Sequence, residues 1–172
     1  MIKRKDSGFT VIEIVMVIVL MAIIATVAAM IILQGARSFG DMDVRRELTA
    51  EGRLAIERMA REIRLVGCTT SGIACTPTGE ITTYTDTDFA FENVNYETRR
   101  LQFTSGSLKL TEGLTETVLA DNVTGLDFDY LDTSDGDAAS VGDVWSIRAT
   151  LTLSKKGQTL NFRVRVHPRS FR

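Results

Sequence analysis

Lys3-Arg4-Lys5-Asp6-Ser7-Gly8-Phe9-Thr10-Val11-Ile12-Glu13, followed by IVMVIVLMAIIATVAAMIIL over residues 14–33, is the stretch that decides how this chain reads. A basic head leads to a Gly-Phe junction. One carboxylate then precedes a run with no charge and a single Thr. About 20 such residues in a helix cross a bilayer core. A secretory signal differs, because its apolar stretch is shorter and its small-residue cleavage site follows that stretch. Here the candidate cut at Gly8 precedes the run, so cleavage leaves the membrane helix on the mature chain. Lys3, Arg4 and Lys5 stand on one side, and Arg37 against Asp41 and Asp43 on the other. The positive-inside rule therefore puts the N-terminus in the cytoplasm and the rest of the chain outside.

Glu13 is the anomaly. An ionisable group at membrane depth costs ~2.5–3.5 kcal/mol or more at the centre, less near an interface, and usually has a partner. No basic residue lies between Lys5 and Arg37. A cut after Gly8 creates a new ammonium on Phe9, four residues before Glu13, and a neighbouring chain's ammonium is an equally available partner. The alternative is a plain anchor whose shallow Glu13 reaches the headgroups.

Residues 34–66 read as a continuation of the helix out of the membrane. Val44, Leu48, Ala55, Met59, Ile63 and Val66 recur near helical spacing. Arg45, Arg46, Glu47, Glu51, Arg53, Glu57, Arg58, Arg61, Glu62 and Arg64 cover the remaining surface. Glu57–Arg61 and Arg58–Glu62 are attractive at i,i+4, whereas Glu47–Glu51 is repulsive. Gly67 is placed as a helix C-cap. One helix over residues 9–66 would be ~87 Å long, so its outer half needs a partner, and the apolar stripe predicts a sheet. A coiled-coil stalk is the other reading, against which Gly40 and Gly52 count. With no proline before Pro77, any kink must fall at Gly35 or Gly40.

Residues 67–172 suffice for one small core, and those from 80 onward read mostly as β-structure. Ile147, Ala149, Leu151 and Leu153 alternate with polar residues, as do Leu160, Phe162, Val164 and Val166. Lys155-Lys156-Gly157-Gln158 forms the turn between them. A second hairpin joins Leu101–Phe103 to Leu108–Leu110 through Ser105-Gly106. Leu126, Phe128 and Tyr130 mark a further strand. The predicted class is α+β: a long N-terminal helix packed on an antiparallel sheet.

Gly8-Phe9-Thr10-Val11-Ile12-Glu13 resembles the processing site of type IV prepilins and type II secretion pseudopilins, usually written G-F-T-L-I-E-L. Val11 and Ile14 stand in for leucines. The resemblance implies cleavage between Gly8 and Phe9 by a prepilin peptidase, and N-methylation of Phe9. It also implies that Glu13 neutralises the Phe9 ammonium of an adjacent subunit during assembly. The implied organisation is a cleaved leader (1–8), an assembly helix (9–33), a stalk helix (34–66) and a head (67–172). Asn122-Val123-Thr124-Gly125-Leu126-Asp127-Phe128-Asp129-Tyr130-Leu131, the strand Arg148–Leu153 and the Arg-rich helix Ala55–Gly67 are more loosely similar to PilW-like minor pilins and J-type minor pseudopilins. That implies a low-abundance subunit helping to initiate or cap a fibre. Its partners would be other pilin or pseudopilin subunits, an inner-membrane assembly platform and, before assembly, membrane lipid. The tip-most pseudopilin usually lacks the acid found here at Glu13, so this chain resembles a subunit with another stacked above it.

Other features carry less. Cys68 and Cys75 flank a short loop, and outside the inner membrane a disulfide there would contribute ~2–3 kcal/mol. Two cysteines with no nearby His make zinc a poor fit. Asp132, Asp135 and Asp137, with Asp143 nearby, are weak calcium candidates that depart from the EF-hand order. Residues 80–143 hold 14 acids against Arg99, Arg100 and Lys109, a net of −11, and residues 144–172 hold seven bases and no acid, a net of +7. Neutralisation within the domain, pairing between subunits and DNA contact by the basic hairpin are all open to that pattern. The single His167 sits beside Pro168, with no nucleophile motif, phosphate loop or metal cluster in sequence, so a structural subunit is expected rather than an enzyme. A membrane-anchored binding module that never polymerises is the alternative class.

Overall fold

The computed structural model describes residues 10–67 and 81–171. Gly8, Phe9, Cys68 and Cys75 lie outside the described residues. The chain divides into two compact units, Met1–Asp43 and Val44–Arg172. Helix α1, Val11–Ile63, contributes to both.

In the first unit α1 is helical through Gly35 and Gly40, the two positions where a kink was possible, and a Cβ at either would meet nothing within 4 Å. The large apolar side chains of residues 11–33 are exposed around the whole circumference. A helix apolar on every face is not a stable surface in water.

In the second unit α1 buries Leu48, Ala55, Met59 and Ile63 in the core, with Val66 just beyond its end and Val44 packed at its margin. The stripe read from sequence is thus the buried stripe. After Ile63 the chain tightens into a turn, with Leu65 N–H donating to Glu62 O (2.9 Å) and Val66 N–H to Ile63 O (3.2 Å). Gly67 differs from expectation: it is absent from the left-handed residues, so it is no left-handed C-cap. It is glycine because backbone passes close by. Its N–H donates to Glu92 O at 2.8 Å, and a Cβ would sit 2.7 Å from Asn93 O. The carbonyl of Val66, at the end of the turn, accepts from the Ser170 hydroxyl at 2.7 Å.

The β-structure forms two antiparallel sheets where the sequence predicts one. The first runs β1 (Ile81–Tyr84), β2 (Asp88–Glu92), β3 (Thr98–Thr104), β4 (Ser107–Glu112) and β5 (Thr115–Ala120) in spatial order. The second runs β6 (Val123–Leu131), β7 (Ser146–Lys155) and β8 (Gln158–Val166). Both predicted hairpins form. Their turns place Ser105 (φ 53°) with Gly106 (φ 79°), and Lys156 (φ 50°) with Gly157 (φ 81°), in left-handed conformations that match the twist of two-residue hairpins. A seam of aromatic rings joins the sheets: Phe89 lies 5.7 Å from Phe128 and 5.9 Å from Tyr130, centroid to centroid. Backbone bonds cross the same seam, from Phe128 N–H to Asp86 O (2.9 Å) and Val123 N–H to Gly106 O (2.9 Å).

Each strand of the second sheet turns one face to the core. The rows Leu126–Leu151–Phe162 and Phe128–Ala149–Val164 lie on the core side, and Asp127–Thr150–Arg163 and Asp129–Arg148–Arg165 on the other. Phe162 meets α1 at Gly52, where a Cβ would overlap the ring. Gly52 therefore costs helix propensity, about 1 kcal/mol against Ala, in exchange for close approach of helix and sheet. Gly52→Ala is expected to lower the unfolding midpoint of the full chain in detergent. In a Phe162→Ala background the same change should stabilise, by up to about 1 kcal/mol. Denaturant unfolding of the four variants measures this, and an effect of the same sign in both backgrounds contradicts it.

Candidate assembly site

Glu13 stands in the first turn of α1. Its N–H donates to Thr10 O at 3.0 Å and Ile14 N–H donates to the same carbonyl at 3.3 Å, so Thr10 supplies the first acceptor of the helix. A carboxylate there is favoured by the unpaired N–H groups and positive end of the helix dipole. Glu13 is exposed and has no cation within ion-pair distance among the described residues. Beyond it the helix is uncharged to Leu33 and none of that apolar window is buried, so α1 is long and apolar enough to cross a membrane. Thr26 is reconciled with this surface by donating its hydroxyl to Ala22 O at 2.8 Å. The helix thus presents one acid without an ion pair among the described residues at one end of an exposed apolar surface.

Several charges of the second unit pair within it. Lys155 pairs with Glu47 at 2.5 Å, Arg148 with Asp129 at 3.3 Å, and Arg165 with Asp135. Arg58–Glu62 forms at 3.0 Å, as its i,i+4 spacing predicts, whereas Glu57–Arg61 is not an ion pair. One feature escaped the sequence. Glu62, read there as part of the charged surface, is only 3 % exposed. Arg58 also reaches Glu112 Oε1 (2.7 Å), the same oxygen that Arg99 approaches (2.5 Å), while Arg99 holds Glu97 (2.7 Å). The network ties α1 to β3 and β4. Bonds from Asn93 and Arg99 hold the Glu97 carboxyl below its ordinary range.

The acidic turn after β6 is organised by its own backbone. Asp132 Oδ1 accepts from Ser134 N–H (2.8 Å), Ser134 Oγ–H (2.8 Å) and Gly136 N–H (2.9 Å), and these bonds, the hydroxyl's foremost, lower its pKa. Asp135, in a left-handed conformation, is lowered by its bond from Arg165. No group of three potential metal ligands comes together among the described residues. The calcium candidates Asp132 and Asp135 are thus bound to protein donors, and Asp137 bridges back to Leu131 through its backbone. His167 lies just past β8, exposed. Its Nδ1 is 2.5 Å from Trp145 O, and its ring is 4.3 Å from the Trp145 ring.

Residues 3–29 match the family model described as the prokaryotic N-terminal methylation motif. No curated protein matches the chain. The matched segment contains the Gly8-Phe9 junction, Glu13 and most of the uncharged run. The chain therefore carries the N-terminal signature of type IV pilin-like proteins.

Proposed function

We propose that this protein is a subunit of a type IV pilus or type II secretion pseudopilus, of the low-abundance class that initiates or caps fibre assembly. The carrying observation is the carboxylate of Glu13, without an ion pair among the described residues, at the head of the exposed stretch of α1 that is uncharged over residues 14–33, within a methylation motif. The chain first sits in the inner membrane, N-terminus cytoplasmic and head periplasmic. Prepilin peptidase removes residues 1–8 and methylates Phe9. The assembly platform then lifts the subunit out of lipid, and α1 exchanges lipid contacts for apolar contacts with neighbouring helices.

That exchange is nearly neutral for apolar side chains, because lipid tails and Leu or Ile side chains are similar environments. It gives little registry along the helix axis. Glu13 supplies what the apolar surface lacks. In a low-dielectric fibre core a carboxylate without a cation is strongly disfavoured, and a charge-assisted bond to the Phe9 ammonium of the adjacent subunit removes that cost at one axial position only. Lateral packing sets affinity, and the ion pair sets position.

The mature protein from its native host should begin at N-methyl-phenylalanine 9. Mass analysis that finds Met1, or a terminus beyond residue 25, contradicts the assignment and favours an anchored module. Glu13→Ala should be cleaved and methylated normally, yet reach sheared fibres at a level reduced at least about tenfold, the loss of one buried ion pair. Incorporation at the wild-type level would remove the registry role.

A further inference from the structure

An open groove of about 330 Å³ runs between α1 and β8, lined by Ile56, Glu57, Ala60, Arg61, Arg64 and Val164. Its floor is apolar: Ala60 is buried, and Ile56 and Val164 pack on the core. Its rim carries Arg61 and Arg64, exposed one turn apart, together with the exposed Glu57, a net charge of +1. Neither arginine makes an ion pair among the described residues, and β8 has no strand partner on its outer edge.

A complementary surface exists on the same chain. Asp127 and Asp129 stand on the outer face of β6, and Asp86 is brought beside them because its carbonyl accepts from Phe128 N–H. Arg148 reaches Asp129, but Asp86 and Asp127 are without an ion pair among the described residues. Desolvation foremost, then the Asp129 and Asp86 carboxylates, hold the Asp127 carboxyl above its ordinary range, against the opposing charge of Arg163 in the same row.

The two surfaces cannot neutralise each other within one molecule. Val164 lies on the core face of the second sheet, in the row Phe128–Ala149–Val164, and lines the arginine groove. Asp127 lies on the opposite face, in the row Asp127–Thr150–Arg163. The sheet stands between them. We propose that the Arg61–Arg64 groove docks the Asp86–Asp127–Asp129 surface of a second copy of this chain. The two patches are different, so the contact is heterologous and repeats from copy to copy, the type of contact that generates helical arrays. It rests on the subunit function proposed above and adds to it that more than one copy stands in succession at the starting end of the fibre.

The test uses the full processed chain in mild detergent, by sedimentation velocity over a concentration series at low and high salt. Self-association should weaken with salt. It should fall at least about tenfold in Arg61→Glu/Arg64→Glu and in Asp86→Lys/Asp127→Lys, and return to within about threefold of wild type when the two variants are mixed. All four positions are exposed, so matched melting curves are expected and confirm an intact head. A wild type that stays monomeric, reversals without effect, or a mixture that fails to recover overturns the proposal. So does binding of short duplex DNA or phosphatidylglycerol vesicles that Arg61→Glu/Arg64→Glu abolishes while self-association is unchanged. Methylated Phe9 in the reversal variants separates the outcomes: where it is present, a failed docking leaves the subunit function standing, and where the leader is intact, that function itself fails.

Discussion

A carboxylate at the start of a helix that is otherwise uncharged to Leu33 sets the terms for the rest of this molecule. In water the helix would expose apolar side chains on every face; Val11 is 80 % exposed and Leu33 59 %. In lipid those side chains are satisfied and Glu13 is the difficulty, relieved only near the headgroups. Among other helices of the same kind the side chains remain satisfied, and Glu13 acquires the possibility of a fixed cation. The balance between the last two environments is close for everything except Glu13, and in the proposed assembly that side chain would set where the helix stops along its neighbours.

The head solves a separate problem, which is to hold the outer part of α1 against two sheets. Apolar burial supplies most of the stabilisation through Leu48, Met59 and Ile63 on the helix and Phe89, Phe91, Phe128 and Leu151 on the strands. Such contacts are non-directional. The Arg58–Glu112 bridge adds direction, because it joins α1 to β4 and is lost if the helix rotates or slips by one turn, whereas Arg58–Glu62 lies within the helix and moves with it. Gly52 against Phe162 does the same by shape: only one point on that flank of α1 lets an aromatic ring lie against backbone. The second unit thus combines a permissive apolar surface with a polar and a steric feature that fix register, the role proposed for Glu13 in the first.

What could be read from the sequence follows from locality. The basic head, the Gly8-Phe9 junction and Glu13 are contiguous, and the stripe Leu48–Ala55–Met59–Ile63 repeats with the period of a single helix. The turns Ser105-Gly106 and Lys156-Gly157 are encoded in adjacent residues whose left-handed backbone the structure contains. The features that stayed hidden depend on distant partners. Strand β5, Thr115–Ala120, shows little apolar alternation because it is an edge strand with four exposed residues in succession, and pairing with β4 rather than its own pattern makes it a strand. The division into two sheets is set where Phe89 meets Phe128, which neither local segment announces. Glu62 reads as surface charge because its ion-pair partner Arg58 is its own helical neighbour, and nothing in that local pattern marks its burial. Gly67 reads as a cap, when its small size answers to Asn93 passing overhead. At the candidate assembly site the acid was legible, whereas the cation proposed for it, the Phe9 ammonium of an adjacent subunit, lies outside the described residues.

The most direct measurement is zero-length carbodiimide coupling of assembled fibres, followed by peptide mass spectrometry. An amide joining the Glu13 carboxyl to the N-terminal phenylalanine of a different subunit, present in intact fibres and absent after detergent dissociation, is the predicted product. Fibres that contain this subunit but leave Glu13 unmodified, or couple it only within its own chain, would contradict the account.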